Sequence, residues 1–291
     1  MTRNAPRAQK ESLKTRWLSG MLAVILLACL VPCALDVNLK TVRYTVKSDK
    51  IAAPVKICVI ADLHSSYYGA DQSDLIKAIH GQNPDIIVFT GDICDNHIPH
   101  DGARALLEAV AGEYPCFYVA GNHEFWSFEM DNIREIFASY GVVILRGDCE
   151  TVEINGNLID ICGLDDPDCD WYEPGGIPYA VQFDMLENAA DGGNFTILLA
   201  HRPERIGEYS GHGFDLVLSG HAHGGQWRLP GIINGVYAPD QGFFPRYAGG
   251  RYSFGGTEMI VSRGLSMKIK RPPRIFNPPE LVIVMVTPID R

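Results

Sequence analysis

The sequence has 291 residues, of which 46% are hydrophobic and 21% charged, so it is long enough and apolar enough to form a large folded core. The formal net charge is −10, and the first 16 residues carry five basic side chains and one acidic side chain, so the remainder carries −14. A body this acidic repels a nucleic-acid backbone, which argues against a nuclease acting on long polymers.

The N-terminal part of the chain divides into a basic tail, residues 1–16, and an apolar segment without charges, residues 17–35. A helix of that length spans about 28 Å, close to the ~30 Å of a bilayer core, which predicts a transmembrane anchor. The basic tail predicts a cytoplasmic N-terminus and an extracytoplasmic main domain over residues 36–291. A cleaved signal peptide and a lipoprotein signal at Cys29 are the alternatives. We favour the uncleaved anchor, because no small-x-small cleavage site follows and the chain stays apolar after Cys29.

Apolar runs alternate with helical patterns in the first half of the main domain. Residues 37–54 form an extended lead-in, in which 42–46 alternate between apolar and polar side chains. The predicted strands are 55–61, 85–90 and 116–120, and the predicted helices are 71–81, 101–113 and 127–139. Strands that alternate with helices in this way predict a layered α/β fold.

The second half of the chain has a different pattern. Asn155-Gly156 lies between two arms of alternating hydrophobicity and predicts a hairpin over 151–161. Further strands are predicted at 195–200, 214–219, 257–262 and 281–287, with a short helix at 203–209. We interpret residues 36–291 as one domain with two sheets.

Two kinds of cysteine are expected in this domain. Cys149 and Cys162 bracket the predicted hairpin, so they are candidates for a disulfide in an oxidising compartment. Cys58 and Cys116 lie in apolar strand-like runs and are expected in the core.

Five of the predicted strands run into polar residues of the kinds that bind metals. These residues are Asp62, His64, Asp92, Asn122, His201, His221 and His223. The carboxyl ends of strands are where α/β proteins place ligand sites, so we expect these side chains to converge. Carboxylate, amide and imidazole groups together suit Mn, Fe or Zn better than Ca. Each motif alone is weak, but five in series predict a metal site.

The series Asp-x-His, Gly-Asp-x-x-Asp, Gly-Asn-His-Glu, a separate His and Gly-His-x-His over residues 55–225 resembles the calcineurin-like metallophosphoesterase superfamily. The stretches 219–230 and 274–281 further resemble its membrane-associated bacterial subgroup. The resemblance implies a four-layer α/β/β/α sandwich of two mixed sheets flanked by helices, here preceded by the predicted transmembrane helix. It also implies two divalent metal ions, with Mn, Zn and Fe as the candidates.

The resemblance also implies a role for each matching position. The first ion would be held by Asp62, His64, Asp92 and His223. The second ion would be held by Asp92, Asn122, His201 and His221, so that Asp92 is shared. His123 would lie beside the ions rather than bind them.

The predicted chemistry is hydrolysis of a phosphodiester or pyrophosphate bond by a hydroxide that the two ions share. His123 is the candidate general acid for the leaving oxygen. Asp95 is expected to orient His123 or a ligand, or to be a solvated loop carboxylate. Glu124 is expected to support the ligands or to cap the following helix, and Arg202 to contact phosphate or to lie at the surface.

The sequence therefore predicts a metal-dependent phosphoric ester hydrolase at the cell membrane, acting on a lipid-linked or nucleotide substrate and not on nucleic acid. Enzymes that resemble the subgroup include some that hydrolyse UDP-diacylglucosamine, which is an analogy only. The alternatives are a phosphomonoesterase and a catalytically inactive metal-binding scaffold. The aromatic residues Trp126, Trp227 and Phe243-Phe244 are expected to pack in the fold rather than line a lipid or nucleoside pocket.

Overall fold

The computed structural model of this chain describes residues 5–186, 193–267 and 273–289. The strands are β1 Lys40–Ser48, β2 Val55–Ile60, β3 Ile86–Thr90, β4 Cys116–Val119, β5 Val143–Ile144, β6 Asp148–Ile154, β7 Asn157–Leu164, β8 Phe195–Ala200, β9 Leu216–Ser219, β10 Tyr237–Ala238, β11 Gly242–Phe243, β12 Gly250–Phe254, β13 Thr257–Val261 and β14 Glu280–Pro288. The α-helices are α1 Ala5–Ala34, α2 Ser73–His80, α3 Asp101–Val110, α4 Asn122–Trp126, α5 Met130–Ser139, α6 Cys169–Tyr172, α7 Tyr179–Leu186 and α8 Ile206–Tyr209.

Most of these strands form two mixed sheets, each with six strands among the described residues. The first sheet has the order β1-β14-β2-β3-β4-β5, and the second has the order β12-β13-β9-β8-β7-β6. Strands β2, β3 and β4 are parallel, as are β7, β8 and β9, while β14 pairs antiparallel with β2. Helix α5 lies against β5, and α7 lies against β6 and β7. The prediction of two mixed sheets flanked by helices is therefore confirmed.

The layer between the two sheets is a core of apolar side chains. It includes Ile57, Val88 and Val284 from the first sheet, and Ile197 and Leu199 from the second, all fully buried. Burying a side chain of this size contributes about 1.5–3 kcal/mol relative to leaving it exposed. Branched aliphatic residues also suit the pleated backbone of a strand. This core fixes the sheets against each other and so fixes the relative positions of the loops at their ends.

The predicted helix over 127–139 is wrong at its start. The structure has α4 through the Gly-Asn-His-Glu motif and a separate α5 from Met130. Phe128 between them has a left-handed φ of 58°, which a continuous right-handed helix does not allow. The extended lead-in is confirmed in part, because its residues 40–48 form β1 and pair in parallel with β14.

The predicted hairpin is formed by β6 and β7. Asn155 and Gly156 make its turn with φ values of 52° and 76°, the left-handed region that this dipeptide tolerates. Cys149 and Cys162 are directly opposite in the antiparallel register and form a disulfide, with their Cα atoms 3.9 Å apart.

The N-terminal helix α1 contains most of the predicted tail and of the predicted anchor, while residues 1–4 lie outside the described residues. Among the residues that the structure describes, no helix combines the length and the apolarity needed to cross a membrane. The prediction of a transmembrane helix over 17–35 is therefore not confirmed. At its C-terminal end α1 meets the main domain, where the Phe276 N–H donates to the Ala34 carbonyl over 2.7 Å.

Candidate metal centre

The polar residues predicted at five strand ends lie together at one edge of the two sheets. Backbone hydrogen bonds connect the loops that carry them. The N–H of Asp62, after β2, donates to Gly91 over 3.1 Å, and the N–H of His64 donates to Asp92 over 2.9 Å. In the second sheet, the N–H of Gly220 donates to His201 over 3.1 Å. Adjacent parallel strands therefore bring the ligand-type side chains to a common point, as their position in the sequence predicts.

The side chains form two groups of metal-ligand geometry that share one residue. Within each group, one ligand atom from every member lies within 4.8 Å of the others. The first group is Asp62, His64, Asp92 and His223. The second group is Asp92, His201 and His221, and the Asn122 Oδ1 lies 3.0 Å from His221 Nδ1. The structure thus brings all seven predicted ligands together, in the two sets that the resemblance implies, with Asp92 in both.

The backbone at these positions is strained. Five of the ligand residues have left-handed φ values between 47° and 65°, and these are Asp62, His64, Asp92, His221 and His223. Residues other than glycine adopt this region at an energetic cost, and such residues cluster at functional sites. Close packing adds a further constraint, because a Cβ on Gly121 would lie 2.3 Å from Asp92 Oδ1. The loops therefore adopt an unfavourable backbone conformation that directs the ligand side chains toward one another.

Unpaired buried atoms indicate that the site fits metal ions. Within the described part of the chain, Asp62 Oδ2 and His201 Nε2 are buried and have no hydrogen-bond partner. The other ring nitrogen of His201 donates to the Thr90 carbonyl over 2.7 Å, so Nε2, 3.3 Å from Asp92 Oδ2, is the nitrogen that faces the ligand cluster. Unsatisfied buried polar atoms are costly, so atoms of this kind in a cluster of carboxylate and imidazole groups are those that a cation would engage. The donor set suits Mn, Zn or Fe.

The electrostatics of the cluster lead to the same conclusion. Burial raises the pKa of the Asp62 carboxyl, whereas His201 and other histidines outweigh burial at Asp92 and hold its pKa well below the ordinary value. Burial alone would lower the pKa of His201, but Asp92 raises it to about 10, so in the metal-free fold this imidazole is protonated and supplies the positive charge that a bound cation would replace. Burial and the neighbouring His64 hold the pKa of His223 well below its usual range, so this imidazole is neutral and able to bind a metal.

Asp95 supports a predicted ligand more closely than it supports His123. Its Oδ2 lies 3.2 Å from His64 Nδ1 and 3.8 Å from His123 Nδ1, and its Oδ1 accepts the N–H of His97 over 2.9 Å. The carboxylate therefore fixes the ring of His64, so that the opposite nitrogen, Nε2, faces the first ligand group.

His123 lies beside the ligands, with its ring centre 4.4 Å from that of His64. Its backbone N–H donates to Asp92 Oδ1 over 2.9 Å, and its Nδ1 lies 2.8 Å from Asn96 Oδ1. Trp126 packs against the same ring with the centres 4.8 Å apart. Sequence reasoning missed Asn96, although its position directly after Asp95 in the loop was a usable signal. An Nδ1–H that donates to Asn96 leaves Nε2 of His123 for proton transfer.

Glu124 supports the ligand loops and caps a helix at the same time, so both predicted roles are present. Its fully buried carboxylate accepts backbone N–H groups from Asp92, Ile93, Cys94 and Gly121, at 2.6–3.0 Å. The Gly121 bond caps the start of α4, because the Glu124 side chain at the third helical position accepts the N–H of the N-cap residue. Burial and the nearby Asp92 raise the pKa of Glu124 to about 8.

Arg202 contacts carboxylates in this structure, and its side chain does not lie at the surface, as one of the two expectations had it. The side chain is mostly buried and forms a two-bond pair with Asp166, at 2.7 and 2.9 Å. Its other contacts are Asp168 at 3.2 Å and Asp240 Oδ2 at 2.7 Å. The same Asp240 oxygen lies 2.9 Å from His221 Nε2 and fixes that imidazole. Asp240 lies in a glycine-rich segment without periodicity, and we find no sequence signal for its role.

A family model described as calcineurin-like phosphoesterase matches residues 55–225, which contain every predicted ligand. The chain is 30% identical over 254 residues to the metallophosphoesterase YkuE of Bacillus subtilis, covering 84% of each chain. It is 28% identical to the phosphodiesterase YaeI of Escherichia coli, covering 74% of this chain and 76% of that protein.

Among solved structures, the chain resembles a 5'-nucleotidase precursor from Thermus thermophilus with a TM-score of 0.50 and 15% identity. The match covers 73% of this chain and 49% of that structure, so this chain spans about half of its length and the likeness concerns the fold alone. The family match and the relatives, together with the two ligand groups, identify the chain as a member of the calcineurin-like phosphoesterase family and as a metal-dependent phosphoester hydrolase.

Proposed function

We propose that this chain hydrolyses phosphodiester or pyrophosphate bonds with two divalent ions, held by the two ligand groups of the site. The observation that carries the proposal is the shared Asp92, which belongs to both groups and gives the pair of positions a common ligand. A relative of this chain is named a phosphodiesterase, which supports the choice of a diester. When bound, two such ions would lower the pKa of a water and offset the charge that develops on the phosphoryl group.

The proposed role of His123 is to give a proton to the leaving oxygen. With Nδ1 held at 2.8 Å by Asn96 Oδ1, the proton for transfer is on Nε2. His123 is 9% exposed, so a substrate at the metal centre is able to reach it while bulk water is largely excluded. Asp95 and Glu124 act through the ligands: Asp95 orients His64, and Glu124 fixes the backbone of the loop that contains Asp92.

For the finer substrate class, we propose a phosphoester with an apolar group, such as a lipid-linked one. Phe243 and Phe244 are 74% and 67% exposed, so the expectation that they pack in the fold is wrong. They follow Asp240 in the β10–β11 hairpin, and Asp240 contacts the ligand His221. Exposed aromatic side chains in a hairpin that also contacts a predicted ligand are suited to bind an apolar part of a substrate.

We also propose that the main domain lies outside the cytoplasm. The disulfide between Cys149 and Cys162 supports this location, because structural disulfides persist in oxidising compartments. The membrane association of residues 17–35, and with it the membrane-associated subgroup, rests on sequence alone.

The test uses the full-length chain with a chromogenic phosphodiester and a matched phosphomonoester. We expect faster turnover of the diester, loss of activity with a chelator, and recovery with added Mn²⁺. Faster turnover of the monoester would favour the phosphomonoesterase alternative. Turnover that a chelator leaves unchanged would contradict the metal mechanism, and stoichiometric metal binding without turnover of any ester would favour the scaffold.

A further inference from the structure

The segment 274–277 lies outside the region that the family model matches, yet it packs directly behind the first ligand group. Its two polar residues, Arg274 and Asn277, are buried, with exposed fractions of 9% and 0%. The side chains of these two residues donate six hydrogen bonds to backbone carbonyls, of which five go to loops that carry or adjoin a predicted ligand and one goes to the carbonyl of Asn277 itself. Buried side chains that bind only backbone act on the shape of that backbone.

Asn277 holds the loop that carries His223. Its Nδ2 donates to the His223 carbonyl over 2.8 Å and to the Gln226 carbonyl over 3.2 Å. Between these carbonyls, His223 and Gly224 both have left-handed φ values, of 47° and 65°. The amide also packs closely on this turn, because a Cβ on Gly224 would lie 2.1 Å from Asn277 Oδ1. The two bonds therefore fix the strained turn that directs the imidazole of His223 into the first ligand group.

Arg274 acts in the same way on the loop behind Asp62. Its guanidinium donates to the carbonyls of Ser266, Arg263 and Gly264, at 3.0, 2.8 and 3.3 Å. This loop touches Asp62 closely, since a Cβ on Gly264 would lie 2.7 Å from Asp62 Oδ2. That oxygen is one of the buried atoms without a hydrogen-bond partner among the described residues. Arg274 thus fixes the surface against which the Asp62 carboxylate is held.

We propose that Arg274 and Asn277 are positioning residues for the first metal position alone. Both act on ligands that belong only to the first group, Asp62 and His223. The second group is held by other contacts, from Thr90 to His201 and from Asp240 to His221. The inference rests on the proposed two-ion site. It means that the segment 274–277 controls the affinity for the first ion and leaves the affinity for the second ion unchanged. Supporting residues of this kind change metal affinity by about 10–100-fold.

The experiment measures metal content and affinity in the full-length chain, with Asn277→Ala as the main variant. The protein is loaded with Mn²⁺, passed through gel filtration, and analysed for bound Mn by mass spectrometry, while a titration gives the two affinities. We expect two ions in the wild type. In Asn277→Ala we expect one ion of unchanged affinity and a second whose Kd rises by about 10–100-fold.

Asn157→Ala is the matched control. Asn157 is also buried, and its Nδ2 donates to the carbonyls of Ala53 and Ile154 over 3.0 and 2.9 Å, in the hairpin and away from the ligands. We expect this variant to lose stability but to keep both affinities. If Asn277→Ala fails to fold by circular dichroism, Arg274→Lys tests the Asp62 loop instead, because lysine keeps the charge and loses the planar set of donors.

The outcomes separate the two proposals. Two ions at wild-type affinities in folded Asn277→Ala, or in folded Arg274→Lys, would overturn the positioning role. Equal weakening of both ions would overturn its restriction to the first position. A wild-type chain that binds fewer than two ions would instead contradict the two-ion site of the proposed function.

Discussion

The layer between the sheets and the ligand edge of the same sheets differ in the polarity of their side chains and in the conformation of their backbone. Between the sheets, side chains such as Ile197 and Val284 are fully buried, apolar and in regular strands. A few residues further along, the ligand edge contains left-handed residues, buried charges and unpaired polar atoms. Such features destabilise a fold, and they persist only where surrounding structure over-determines them. The comparison teaches that the burial of apolar side chains between the sheets offsets the energetic cost of the strained and polar ligand edge.

Asp92→Ala should have the largest effect, because it removes the ligand that both groups share. We expect loss of both ions from the site and a fall in activity of more than ~100-fold, beyond that of supporting residues. Bound metal and turnover of a chromogenic diester are the measurements. Asp160→Ala is the control, since this buried carboxylate bonds Thr151 in the hairpin and lies away from the ligands. Unchanged metal content in Asp92→Ala would refute the shared-ligand geometry.

His123→Ala should slow turnover by about 10²–10⁴-fold, because it removes the proposed proton donor. Metal content should stay near that of the wild type, because His123 belongs to neither of the two ligand groups that share Asp92. Turnover and bound metal are measured on the same samples, with the half-exposed His80 replaced by alanine as the control. Loss of an ion from His123→Ala would reassign this residue as a ligand.

Leu199→Ala tests the opposite region, because this fully buried side chain lies between the sheets. The cavity should lower the free energy of unfolding by about 2–5 kcal/mol. Urea denaturation of the metal-loaded protein measures the change, and the affinities for metal should be preserved in the folded fraction. A stable variant with weakened metal binding would show that the core controls metal affinity rather than stability.

Asp62→Asn should have the smallest effect on the free energy of unfolding of the metal-free protein, and it should raise that free energy rather than lower it. Burial raises the pKa of Asp62, so its ionised form is unfavourable in the metal-free fold and a neutral amide is better tolerated. We expect the metal-free variant to be more stable than the metal-free wild type, by about 1–3 kcal/mol. Urea denaturation in a chelator measures this, and added Mn²⁺ should stabilise the variant less than the wild type. A less stable metal-free variant would show that the carboxylate is not strained.

The predicted ligands could be read from the sequence because each follows a buried apolar strand, which is a local pattern. The supporting residues Asp95 and Glu124 were predictable because they adjoin the ligand motifs, but those further away in sequence could not be predicted in this way. Asp240 and Asn277 lie in loops without periodicity, and they reach His221 and His223 only through the tertiary fold. The order of the strands was equally inaccessible, since the pairing of β1 with β14 joins segments that are far apart in sequence.

The position of β14 has a consequence for the synthesis of this protein. Although it is the last of the described strands in sequence, β14 lies between β1 and β2, and β2 leads directly into Asp62. During synthesis, β2 lacks β14, one of its two neighbouring strands, until residues 280–288 have left the ribosome. Such long-range pairing forms late, so the metal centre should assemble only after translation of β14. The order of the strands thus delays enzymatic competence until β14 has been synthesised.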